Sequence, residues 1–119
     1  MCAQPLRELA PHGVNNYCCC GGSGFAIMDT LNFSQWRKTI PSRMKVKQVL
    51  DAFSDVLDSA APKYVTAPCS NCKGALRDAI AHYGLGEKYR IIYGGLVDLM
   101  VNAMVDLPAE FINIAREEL

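Results

Sequence analysis

Lys63-Tyr64-Val65-Thr66-Ala67-Pro68-Cys69-Ser70-Asn71-Cys72-Lys73 joins a strand signal, a Cys-x-x-Cys and a helix start. Tyr64, Val65 and Thr66 are β-branched or aromatic, so Lys63 to Ala67 reads as a short strand. From Lys73 to Tyr83 the period changes. Leu76, Ile80 and Tyr83 share one face of a predicted helix, closed by Gly84 and Gly86. Tyr89 to Tyr93 is a second predicted strand, broken by Gly94 and Gly95, and Leu96 to Val105 an apolar helix. Strand, helix, strand, helix is the order of a right-handed parallel β-α-β unit. The expected fold is therefore α/β: a small parallel sheet with flanking helices and cysteine loops at the carboxyl ends of the strands. Ligands of such sheets bind outside those ends. Cys69 and Cys72 fall at one and Gly94 and Gly95 at the other, which turns the Cys-x-x-Cys into a site expectation.

Upstream, Arg43 to Ala60 carries Met44, Val46, Val49, Leu50, Phe53, Val56 and Leu57 mostly at spacings of three and four. This predicts an amphipathic helix with Ser42 as N-cap, roughly 27 Å long, stopped by Pro62. Arg43, Lys45 and Lys47 are the densest basic cluster and read as its solvated face. A shorter helix is expected over Asn32 to Thr39, with Phe33 and Trp36 on one side, and a last one from Pro108 through Phe111 and Ile112 to Leu119. Phe25 to Met28 is a short apolar run. Leu6, Leu9 and Ala10 suggest a helical turn before Pro11 and Gly13.

The chain has 119 residues, half of them hydrophobic, and a formal net charge of zero. One domain with its own core is expected, spanning 1–119 as a single unit, truncated relative to the pattern described below. Charge neutrality argues against nucleic-acid binding. No apolar run reaches the roughly 18 residues of a membrane span, and Met1 to Ala10 show no signal-peptide pattern. A cytoplasmic location is expected. There, six cysteines point to metal or redox chemistry more than to structural disulfides.

Three of those thiols stand in Cys18-Cys19-Cys20-Gly21-Gly22-Ser23-Gly24. Adjacent cysteines on a glycine-rich turn are poor core filler, and glycine suits neither a helix nor a strand interior. It lets the backbone approach something closely, here expected to be a metal centre or a second sulfur. At the start of a helix, Cys69 and Cys72 meet free N–H groups and the positive end of the macrodipole, both of which favour thiolate. Buried structural thiols are the plain alternative. Neighbouring side chains on an extended backbone point apart. Two consecutive cysteines therefore suit different irons of a cluster better than one zinc ion. A four-iron cluster ordinarily takes four thiolates, and the two motifs offer five, with Cys2 besides.

In these residues the chain resembles a known family. Cys19-Cys20-Gly21 followed by Cys69-x-x-Cys72 is similar to the second part of the cysteine-rich CCG domain. That domain recurs in heterodisulfide reductase catalytic subunits and in related iron–sulfur subunits. Asn16 to Gly24 and Ala67 to Lys73 look closest to the branch found in membrane redox complexes of sulfate reducers. The resemblance covers about residues 4 to 106. It implies an iron–sulfur cluster of four-iron type, non-cubane in the best-understood members, held by Cys19, Cys20, Cys69 and Cys72. It also implies electron transfer to other redox subunits, through which the chain would associate with a membrane complex. Some CCG domains hold zinc instead. The family pattern has a further cysteine well upstream. Here only Cys2 precedes the triplet, and Cys18 is the candidate replacement. The gap from Cys20 to Cys69 is also long, with Asp29 to Pro41 as the apparent insertion.

Three readings compete: an electron-transfer module, a structural zinc domain, and a metal-free thiol–disulfide or interaction protein. The abrupt start suggests uncovered sheet edge or apolar surface, hence a homodimer or a redox partner. His12 and His82 read as surface or capping residues, Met44, Met100 and Met104 as core filler, and Arg90 as a surface ion-pair former. No Ser-His-Asp or paired-carboxylate pattern supports a hydrolase.

Overall fold

The structure, a computed structural model, describes residues 6–22 and 40–104. The expected helices over Asn32 to Thr39 and Pro108 to Leu119, the run Phe25 to Met28, Cys2, the side chain of Met104 and most of the Asp29 to Pro41 insertion lie outside them. The order is a 3-10 turn at Gly13–Asn15, α1 at Arg43–Ala52, β1 at Lys63–Ala67, α2 at Ser70–His82, α3 at Leu85–Tyr89, β2 at Ile91–Gly95 and α4 at Leu96–Met104. The two strands form a parallel sheet, paired from Lys63 with Ile91 to Ala67 with Gly95. The fold is thus a small α/β arrangement with flanking helices.

β1 has the expected bounds. Val65 faces inward and Tyr64 outward. Lys63 is buried too, because its ammonium donates to the carbonyls of Ser59, Ala61 and Tyr89 at 3.0 Å each. A buried cation is tolerated when its donors are satisfied. Here that satisfaction ties the approach to β1 to the end of α3.

α2 begins three residues earlier than expected. Cys69 is its N-cap in extended conformation, and the Lys73 N–H bonds the Cys69 carbonyl. Cys72 therefore lies inside the first turn. Gly86 does not end α2 but lies within α3, which is bracketed by Gly84 and Arg90, both left-handed. Between them Leu85 turns into the core. That extra turn delays β2 to Ile91, and Gly94 and Gly95 pair with β1 instead of breaking the strand. At Gly94 the Tyr64 ring lies over the strand, and an added Cβ would displace it.

α1 ends at Ala52, well short of Ala60. In a continuing helix the Ala52 carbonyl would take the Val56 N–H. Instead it accepts from the Arg7 guanidinium at 2.8 Å, and the Val56 N–H bonds Phe53. Residues 53–59 continue as tight turns. Arg7 also makes a two-pronged ion pair with Asp55, which holds that carboxyl below its usual range. No helix forms at Leu6 to Ala10.

The core gathers Val46 and Val49 of α1, Val65 of β1, Leu76 and Ala79 of α2, Leu85 of α3 and Ile91 of β2. Leu9, Phe53, Leu57, Ile80, Tyr89 and Tyr93 pack around it. Two expectations fail on α1. Met44 is exposed, whereas Lys45 and Gln48 are buried. Met100 is exposed as well, on a helix α4 whose Leu96, Val97, Leu99 and Val101 are also exposed. Among the described residues no helix is long and apolar enough to cross a membrane.

Candidate functional site

The cysteine triplet reaches the Cys-x-x-Cys through Gly21. This glycine is buried against the first turn of α2. A Cβ there would stand 2.8 Å from the Asn71 carbonyl carbon, closer still to its oxygen, and 3.3 Å from the Ala75 side chain. The close approach expected of the glycine loop is present at Gly21, which lies against helix backbone. Just before it, Cys20 adopts a left-handed φ of 64°, a cost of order 1 kcal/mol or more for a residue with a Cβ. The chain reverses there, and the thiols fan out.

Cys19 points onto α2, its sulfur 2.9 Å from that of Cys72. The Gly21 N–H lies 3.4 Å from the Cys19 sulfur, and the Cys20 N–H 3.2 Å from that of Cys18. The Cys20 sulfur turns back toward the Cys18 carbonyl at 3.8 Å. Cys18 and Cys69 are exposed, and Cys19, Cys20 and Cys72 half-buried.

Environment sets the two thiols of the Cys-x-x-Cys apart. At the N-cap, the backbone N–H groups of Cys72 and Asn71 pull the Cys69 thiol below its usual range, and the Cys72 side chain adds to this. Burial pushes Cys72 up to about 12, with the neighbouring Cys19 and Cys69 sulfurs adding. Burial, followed by Cys18 and Cys19, also raises Cys20.

Two side chains join the site that the sequence reading had placed elsewhere. Tyr93, read as the end of a strand, donates from its hydroxyl to the Ala67 carbonyl at 3.1 Å; burial raises its pKa, with Cys72, Cys69 and Cys19 adding. With Pro68, Cys69, Lys73, Gly95 and Asp98 it lines a cleft of about 270 Å³ at the carboxyl ends of both strands. Lys45 of α1 is buried and donates to Asn16, two residues before the triplet. The sequence places it on a solvated face, because its neighbours Arg43 and Lys47 belong there. No periodic signal marks it, since the inward partners of its ammonium are polar. His12 and His82 are both exposed, as expected.

The donors suit a thiophilic ion: sulfur from two loops, with one pair in contact. Two thiolates on a tetrahedral zinc, each bonded at about 2.3 Å, stand about 3.8 Å apart. A shared metal would therefore spread Cys19 and Cys72 beyond their present 2.9 Å. Among the described residues, no three Cys, His, Asp or Glu side chains converge as a set that would hold one ion. Cys19 and Cys72 are brought into contact, Cys69 flanks Cys72, and Cys20 and Cys18 stay with their own loop. The comparisons add no relative: no family model, curated protein or solved structure matches the chain.

Proposed function

We propose that the chain is an iron–sulfur electron-transfer module of a heterodisulfide reductase-like redox complex. Cys19, Cys20, Cys69 and Cys72 would serve as cluster ligands and Cys18 as the reserve donor. The observation that carries this reading is the seating of the triplet loop on the first turn of α2, which joins Cys19 to Cys72 across a sequence gap of 53 residues. Helix N–H groups favour thiolate at Cys69, and half-burial of the sulfurs beside it is one of the levers by which a protein sets a cluster potential. The exposed apolar residues of α4, next to the cleft, favour a partner subunit or a second copy.

Metal and acid-labile sulfide content of protein purified without oxygen, with its visible spectrum, tests the proposal. Iron with sulfide and a broad band near the blue is the expected result. Serine at Cys19 or Cys72 should bleach it. Colourless protein with one zinc per chain would replace the cluster with a structural zinc site.

A second reading has its own support. An exposed thiol of lowered pKa at a helix N-cap, a half-buried one of raised pKa three residues on, and a third sulfur 2.9 Å from the second make an asymmetric dithiol. Metal-free protein that cycles reversibly between dithiol and disulfide would favour this use.

A further inference from the structure

Lys45 is 5 % exposed, and its ammonium donates to Asn16 Oδ1 and Gln48 Oε1, each at 2.6 Å. Gln48, 1 % exposed, donates in turn to Asn16 Oδ1 at 3.1 Å and to the Pro11 carbonyl. Lys45 and Gln48 sit on α1, whereas Asn16 and Pro11 belong to the segment that leads into the triplet. The closed set of bonds thus connects the core to a point two residues before Cys18.

Burying an ammonium is costly, and a methionine would fill the same space without that cost. The charge is met here by Gln48 on its own helix and by Asn16 of the segment that leads into the triplet. Burial lowers the Lys45 pKa, and Cys19, Cys72 and Cys18 act in the opposite sense.

We infer that Lys45 is a positioning residue of the thiol site: latched to Asn16 and Gln48, its ammonium holds the Cys18–Cys20 loop where Cys19 meets Cys72. The latch acts on the loop itself and serves the thiols whether they hold a cluster or exchange disulfides.

The test uses reduced, metal-free, full-length protein, so failure to bind iron leaves the result standing. Iodoacetamide modification of each cysteine is followed by peptide mass spectrometry, with Cys69, held by its own helix, as internal reference. Lys45→Met keeps the length and removes the charge. The bond to a charged donor that it loses is strong enough for Cys19 alkylation to rise about tenfold relative to Cys69. Asn16→Ala, which cuts the latch from the loop side, should do the same. Lys45→Arg, which keeps charge and donors, should return the ratio to within about threefold of the parent, a rescue that space-filling alone does not explain. If Lys45→Met fails to fold, Asn16→Ala decides. A Cys19 to Cys69 ratio within about twofold of the parent in Asn16→Ala, or in folded Lys45→Met, overturns the inference.

Discussion

Cys69 and Cys72 are three residues apart, yet they differ in chemistry because the start of α2 falls between them. Near neutral pH, Cys69 should react with iodoacetamide first. Its pKa is lowered, so its rate should level off at a lower pH than that of an ordinary thiol. Cys72, raised to about 12, stays protonated through neutrality, and its rate should still be climbing in alkali. A Cys72 rate that levels off first would reverse the assignment. Gly21 is the other decisive residue. Gly21→Ala pushes a methyl into the Asn71 carbonyl, so the triplet must lift from α2. The yield of a Cys19–Cys72 cross-link under mild oxidation should then fall severalfold while far-ultraviolet circular dichroism stays unchanged. An undiminished yield would mean that the two loops meet without this contact.

The strands are held by what lies under them. Ile91 opens β2 and is fully buried, whereas Ile92 beside it is 48 % exposed. Ile91→Ala should cost about 3 kcal/mol in urea unfolding, and Ile92→Ala less than about 1 kcal/mol. Similar costs at both positions would contradict the inward and outward assignment of the strand. Lys63 does for the loop before β1 what a cap does for a helix. Lys63→Met leaves three carbonyls without this donor and should lower stability by about 2 kcal/mol. An unchanged urea midpoint would show that water replaces the ammonium at no cost. Helix boundaries moved for reasons of the same kind. Arg7, more than forty residues away, takes the Ala52 carbonyl and ends α1 early, and the left-handed Arg90 ends α3 before β2.

At the scale of the whole molecule, α4 leaves the sheet with its apolar side chains uncovered, from Leu96 to Val101. Light scattering at rising concentration should therefore show association, and Val97→Lys, at the most exposed of these positions, should weaken it. A monomer at all concentrations would place the partner, if one exists, outside this chain.

β1 was legible to the residue because a β-branched run between Pro62 and Pro68 has few other conformations. The parallel order followed from alternation of strand and helix, and so did the position of Cys69 just past a strand's carboxyl end. These are local or topological properties, which the amino-acid sequence determines by itself. Neither Lys45 nor Gln48 was legible as part of the site. Their burial depends on Asn16 and Pro11 arriving from another part of the chain, and helical spacing records only apolar partners. The same holds for the contact of Cys19 with Cys72, for Cys20 turning away, and for the helix backbone that Gly21 approaches. Those outcomes belong to the tertiary structure, because each depends on two distant segments meeting at a separation of a few ångströms, and no pattern within either segment encodes that distance.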